Sequence, residues 1–233
     1  MAINKRRPLQ PIFDEKKQMG AVDVGNSPGL AIEYCDDFDY PDGALGPPWN
    51  QQGGISVVSE QMFRSGLSRW AQYGEAVATP NMYVEYDYNN ITASLGIGFV
   101  RMAYDGTLLT CYGGGYYPAY SSHPNGEWFV SKFVGVNAAT WAAGGIVASA
   151  LTPDPVGPIR VRVTCLTNED TDIEVNVYDV TSGVPSLMLA YVDSAPDRIT
   201  GGLTGGLSPG TDPVHTALPC LLDNFCVGDV LSG

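Results

Sequence analysis

Charged side chains are scarce in this 233-residue sequence, at 16% of positions, and positive ones are scarcer, with 12 Lys and Arg against 25 Asp and Glu. Residues 1–20 hold five of the basic residues (Lys5, Arg6, Arg7, Lys16, Lys17) against Asp14 and Glu15, a local +3 that leaves −16 on the rest of a chain of net charge −13. A body that acidic repels a phosphate backbone, which argues against nucleic acid as a partner. Histidine is nearly absent. His123 and His215 both lie in Pro-flanked loops, and neither sits in a Gly-x-Ser-x-Gly elbow, so Ser-His-Asp and Cys-His catalysis lack a base. The five cysteines (Cys35, Cys111, Cys165, Cys220, Cys226) include no Cys-x-x-Cys pair, and with two histidines they compose no zinc set. Their plain reading is reduced, mostly buried thiols in a chain that folds in a cytoplasm. No apolar run reaches membrane-spanning length, and the basic N-terminal residues are not followed by the apolar core of a signal peptide. Neither membrane insertion nor a leader is expected. The run Gly113-Gly-Gly115 lacks the Lys-Ser/Thr of a phosphate loop, so nucleotide binding has no support.

What is present describes an all-β protein. Apolar residues make up 44% of the chain, with 28 Gly and 17 Pro to supply turns, and this length suits one large sandwich whose core needs no metal or disulfide support. Short strands are expected at 55–59 and 61–64, an alternating one over Met82–Tyr88, and a buried one within 91–103. Others follow at 108–112, 128–134 and 187–192. The clearest hairpin places Ile159, Val161, Val163 and Cys165 on one face and Arg160, Arg162 and Thr164 on the other. It reverses through 167–172 into Ile173, Val175 and Val177, with Glu174 positioned to pair with Arg160 or Arg162. Residues 201–210 read as a glycine-rich crossing. No amphipathic helix or repeat is evident, and two packed antiparallel sheets are the economical solution. Residues 1–28 differ: Pro8, Pro11, Gly20, Gly25 and Pro28 interrupt every helix, while Leu9, Ile12 and Phe13 stand singly. An extended arm ordered against a neighbouring subunit is the preferred reading over a disordered tail, leaving 29–233 as the sandwich domain.

In Glu33–Trp49 an apolar entrance (Leu30, Ile32, Tyr34) leads to Asp36-Asp37-Phe38, a Pro41-Asp42-Gly43 turn, Leu45-Gly46 and Trp49. Phe38, Leu45 and Trp49 are expected to pack under a sheet. The stretch resembles the Asp-x-Phe…Asp-Gly-x-Leu-Gly-x-x-Trp opening of concanavalin A-like (laminin G-like) β-sandwich modules, which are common in minor tail and other virion proteins of tailed bacteriophages. The resemblance continues through Gly54–Val58, Arg64-Ser-Gly66, Arg160–Val163 and the closing Leu222-Asp-Asn-Phe225. It implies a jelly-roll sandwich in a virion protein assembled in the host cytoplasm. Its partners would be other virion proteins, copies of itself and, on a lectin-like reading, cell-surface glycan; a head decoration role is the structural alternative. If the opening and closing motifs are neighbouring strands, Cys35 comes near Cys220 or Cys226. Sandwiches of this type often hold a structural Ca²⁺ near paired termini, for which Asp36, Asp37, Asp39, Asp42 and Asp223 would offer hard oxygen ligands; a solvated acidic edge is the plainer reading.

Two stretches bear on chemistry. Glu85-Tyr-Asp87-Tyr-Asn89-Asn90 is similar to the Glu-x-Asp-x-Glu or Glu-x-Asp-x-x-Glu strand of laminarinase-like glycoside hydrolases, a likeness that implies Glu85 as nucleophile and Asp87 as its helper. Both positions for the acid/base carboxylate carry Asn, and an amide cannot cycle the proton that a retaining glycosidase requires. A non-enzyme is therefore expected, with no catalytic residues. The other stretch crowds Tyr104, Tyr112, Tyr116, Tyr117 and Tyr120 together, with His123 and Trp128 just beyond. Three readings stand for it: a protein interface, loop packing and a glycan contact.

Overall fold

The computed structural model describes residues 32–52, 55–64, 70–89, 95–119, 125–137, 145–209 and 221–230. Residues 1–28, and with them Leu9, Ile12 and Phe13 of the expected arm, lie outside these, as do Tyr120, His123 and Cys220. The described chain is all-β. Its strands are β1 (Glu33–Asp36), β2 (Gly43–Ala44), β3 (Trp49–Gln52), β4 (Ile55–Val58), β5 (Gln61–Arg64), β6 (Trp70–Tyr73), β7 (Met82–Tyr88) and β8 (Gly96–Tyr104), followed by β9 (Leu108–Tyr117), β10 (Gly126–Asn137), β11 (Gly145–Thr152), β12 (Ile159–Thr167), β13 (Ile173–Asp179), β14 (Ser186–Asp193), β15 (Thr204–Pro209) and β16 (Leu222–Asp229). Two antiparallel sheets form a jelly-roll sandwich. The nine-stranded sheet runs β14-β13-β12-β7-β16-β5-β4-β2, with β1 also paired to β16, and the seven-stranded sheet runs β11-β10-β9-β8-β15-β6-β3.

Period-two alternation along β7 sets the thickness of the core. Met82, Val84, Tyr86 and Tyr88 are buried, while Tyr83, Glu85 and Asp87 between them reach the outer face. The large inward rings demand small residues opposite. A Cβ on Gly98 of β8 would stand 2.7 Å from the Tyr86 ring, and one on Gly205 of β15 would stand 2.5 Å from Val84. Residues 204–209 are therefore a strand and not the glycine-rich crossing expected above; glycine there admits the facing side chains. Across the seven-stranded sheet from these contacts, Trp70, Ile97, Phe99, Leu109, Cys111, Phe129 and Phe133 form a second buried cluster.

The opening motif packs as expected. Phe38, Leu45 and Trp49 are buried, and Trp49 meets Phe225 of β16 and Tyr73 of β6 at ring distances of 4.9 and 5.1 Å. β1 pairs with β16 so that Cys35 lies directly opposite Cys226, and the two form a disulfide. The plain reading of reduced thiols is thus corrected at these two positions, where the alternative nearness of Cys35 to Cys226 holds; Cys111 and Cys165 remain free and buried. The partner expected for the hairpin arginines is also corrected. β12 and β13 form the hairpin in register Val163↔Val177, but Glu174 lies opposite Leu166, and the arginines turn to β7 on their other side.

Polar groups clamp the two sheets at one end. Lys132 of β10 reaches Asp193 at the end of β14 (2.8 Å) and Asp197 (2.7 Å). The Tyr112 hydroxyl of β9 donates to Asp193 Oδ2 at 2.6 Å and accepts the Ile199 N–H at 3.0 Å. Nearby, the wholly buried Arg101 donates to the carbonyls of Pro80 and Ile199 and to Thr167 Oγ1 at 2.7–2.8 Å. Burial would raise the Asp193 carboxyl, but the Lys132 ammonium and the Tyr112 hydroxyl hold it below its ordinary value of 3.8. This contact therefore stabilises the fold in full above that ordinary value and loses its effect as pH falls through the lowered one. Asp193→Ala is expected to cost about 3 kcal/mol at neutral pH, because it removes the acceptor of the buried Tyr112 hydroxyl and leaves Lys132 with Asp197 alone. Urea denaturation should show the gap to wild type narrowing in acid, below about pH 4. Gly98→Ala should cost about 1–3 kcal/mol by overpacking against Tyr86. Gly46→Ala, where a Cβ meets nothing within 4 Å, should be close to neutral in the same assay.

Candidate functional site

The outer face of the nine-stranded sheet carries an ordered charged stripe, built by the register of three central strands. β12 lies against β7 with Arg160 opposite Asp87 and Arg162 opposite Glu85, so two arginines two residues apart meet two carboxylates two residues apart. Arg160 grips Asp87 through Nε (2.5 Å) and Nη2 (2.8 Å), a two-point contact that fixes both side chains. Arg162 binds Glu85 Oε2 through Nε at 2.6 Å and Nη2 at 2.5 Å, and lies over the Tyr83 ring, 5.1 Å from its centroid. Tyr83 in turn donates its hydroxyl to Glu33 of β1.

A bulge in β16 extends the stripe on its other flank. Pairing to β7 shifts between Asp223 and Cys226, and Asn224 there takes the left-handed conformation, with φ of 48°. Its amide then donates to Asp87 Oδ2 at 2.7 Å. Asp223 lies directly across from Asp87. Burial raises the Asp223 carboxyl above its ordinary value; the Asn224 N–H opposes the rise, and the nearby Asp87 charge adds to it. The result is a row of oriented donors and acceptors with the arginine side chains about two-fifths exposed, at 42% and 36%.

This arrangement bears on hydrolysis. Glu85 and Asp87 do share the outer face, as the glycosidase likeness requires, but each is engaged by an arginine. Asn89 follows them on the chain, and Asn90 lies outside the described residues. Arg160, Arg162, Tyr83, Glu33 and Asn224 escaped the sequence reading as members of one site. The available signal was the matching two-residue spacing of Arg160/Arg162 and Glu85/Asp87, which fits β12 to β7 better than to β13.

The tyrosine-rich stretch resolves differently from any surface patch. Tyr112 and Tyr116 alternate with glycines on β9, point into the core and are wholly buried, as is Trp128 at 1% exposure. Tyr116 stacks at 5.1 Å on Trp128 and donates to Asp154 at 2.5 Å. These three are corrected from binding residues to core residues, because the three glycines between the tyrosines continue the strand instead of ending it. Tyr104 and Tyr117 are half-buried beside the second apolar cluster.

The acidic residues offered for Ca²⁺ do not converge either. Asp36 accepts the Trp49 indole N–H (2.7 Å) and the Phe38 N–H (2.9 Å), Asp37 accepts the Asp39 N–H, Asp42 accepts the Ser59 N–H, and Asp223 accepts the Asn224 N–H. Among the described residues the convergent set is Glu33, Cys35 and Cys226, and both of its sulfurs lie in the disulfide.

No family model matches the chain, and no curated protein does. Solved structures do resemble it. The CBM2 module of the evolved Dit of Lactobacillus casei BL23 phage J-1 superposes with a TM-score of 0.56 at 10% identity, covering 87% of this chain and 98% of that one. The xylan β-1,4-xylosidase of Bacillus halodurans C-125 gives 0.53 at 13% identity over 88% of this chain, but over only 40% of its own. The exoplasmic/lumenal domain of VIP36, in a Ca²⁺- and Man-bound form, gives 0.51 at 11% identity, covering 82% and 86%. At these identities the likeness is one of fold.

Proposed function

We propose that this chain is a non-catalytic structural module of a tailed-phage particle, of the tail or tail-tip type, that contacts neutral saccharide through the outer face of its nine-stranded sheet. One observation carries the non-catalytic part: the two carboxylates placed as a hydrolase would place them are each neutralised by an arginine, Asp87 by Arg160 and Glu85 by Arg162. A retaining glycosidase needs one carboxyl free to attack and another free to pass a proton, roughly 5–5.5 Å away. Here both are held as acceptors.

The saccharide part is supported by the kind of surface the stripe forms. Sugar hydroxyls both donate and accept, and a fixed row of guanidinium, carboxylate, amide and phenol groups offers partners of each kind. Because those groups are already oriented by one another, a ligand would not have to order them. The strongly acidic body disfavours anionic polymers and leaves neutral ones unopposed. The likeness to a phage Dit module agrees with the sequence resemblance to phage virion proteins. In a particle assembled in a reducing cytoplasm, the Cys35–Cys226 bridge would close after release.

The test uses the purified full chain on an array of neutral and anionic bacterial polysaccharides, beside an assay for reducing ends. Saturable binding to a neutral glycan is expected, weakened about tenfold or more in Arg160→Ala and unchanged in Tyr117→Ala on the other sheet. Half-exposed ion pairs contribute only about 0.2–1 kcal/mol, so the arginine variant should stay folded. Absence of binding to any saccharide sinks the ligand reading. Release of reducing ends that disappears in Glu85→Gln sinks the non-catalytic one.

A further inference from the structure

The two sides of the sandwich treat their open strand edges in opposite ways. On one side the edges are guarded. β2 is two residues long and follows Asp42, while β3 has four residues and presents Asn50 to solvent. Short, polar or charged edges of this kind discourage pairing with another chain. On the other side, among the described residues, β11 and β14 end their sheets with eight residues each, and both carry exposed apolar side chains. Leu151 is 67% exposed, Leu187 56%, Ile146 52% and Val192 51%. No charged residue occurs from Phe133 to Pro153 or from Val180 to Val192. The single guard on β11 is a bulge at Val147, where pairing to β10 slips. Ala148–Thr152 beyond it stay regular.

We infer that this side is an interface between two copies of the chain, formed by antiparallel pairing of β11 with its counterpart so that the seven-stranded sheets join into one. A second copy is the occupant the charges select. Two bodies of net charge −13 repel wherever acidic groups face each other, and this side allows approach without burying a charge. A strand edge is also complementary to itself across a twofold axis, because antiparallel pairing matches each free N–H and C=O with its equivalent on the other copy. Ile146 and Leu151, which flank the free row, would be covered in that arrangement. β14 contributes its exposed Leu187 and Val192 alongside but does not lead the pairing, since its last residue, Asp193, is tied to Lys132 and Tyr112. The inference stands on the edges alone and is independent of saccharide binding.

Sedimentation equilibrium on the full chain should show a dimer at micromolar concentration. Ile146→Lys combined with Leu151→Lys should yield a monomer with an unchanged circular dichroism spectrum and a thermal midpoint that no longer depends on protein concentration, since both side chains are exposed and lysine is a natural edge guard. Hydrogen–deuterium exchange on the wild type gives an answer that needs no variant: amides of 145–152 should slow about tenfold or more as dilute protein is concentrated, while those of β3 do not change. A wild-type monomer at 100 times the micromolar range, a lysine variant that stays dimeric, or protection that appears at β3 and not at β11 would each overturn the proposal.

Discussion

The alternation of β7 is the constraint on which the rest of this structure depends. Seven residues present Met82, Val84, Tyr86 and Tyr88 to one side and Tyr83, Glu85 and Asp87 to the other. The inner set is so bulky that the opposing sheet can close on it only with glycine at Gly98 and Gly205, and Tyr86 then donates its hydroxyl to the Gly96 carbonyl at 3.0 Å. The outer set selects the neighbouring strand. A one-residue slip of β12 would bury Arg160 and Arg162 and turn Val161 and Val163 to water, so the apolar core and the ion pairs enforce the same register. Core and surface here are two readings of one periodicity.

That coupling explains why carboxylates arranged like a hydrolase's need not act like one. Catalysis by paired acids depends on environments that push their protonation apart, one carboxyl ionised and one held neutral. Here the strand that supplies Glu85 and Asp87 is flanked by a strand supplying two guanidinium groups at the same spacing, and both carboxylates are occupied as acceptors of arginine hydrogen bonds. Burial above all raises the Asp223 carboxyl. It accepts the Asn224 N–H at 2.8 Å and so forms part of the bulge that aims Asn224 at Asp87. Its role in the geometry is to shape the stripe.

What the sequence made legible divides along the same physical line. Patterns local to one strand or one turn were readable: the 159–177 hairpin from strict alternation, and the packing of Phe38, Leu45 and Trp49 from the turn that brings them together. Features set by a distant strand were not. Arg162 has a carboxylate partner on either side in principle, and only the placement of β7 beside β12 decides for Glu85 over Glu174. The glycines of 204–209 look like a loop because their justification, the bulk of Val84 and Val227 at Gly205 and of Ala71 and Met102 at Gly206, lies on other strands. Tyr112 and Tyr116 look like a surface cluster because Gly113–Gly115 hide the alternation that buries them. The Cys35–Cys226 pair likewise waits on β1 meeting β16 across nearly the whole chain, at a sequence separation of 191.

The scarcity of positive charge takes on meaning once partners are known. Five basic side chains are engaged within the chain: Arg101 by backbone carbonyls and Thr167, Lys132 by Asp193 and Asp197, Arg160 and Arg162 by the stripe, and Arg198 by the Thr171 carbonyl at 3.0 Å. Twelve basic residues against 25 acidic ones leave the chain at a net charge of −13, and the field around it is negative. Such a surface discriminates by exclusion. A negative field of this kind opposes the approach of polyanions, and charged residues are missing along β11 and β14. The ion-paired stripe and the uncharged edge thus lie on different parts of one molecule. The chain concentrates ion pairing where side chains must be held still and leaves the rest of its contacts to backbone and apolar area.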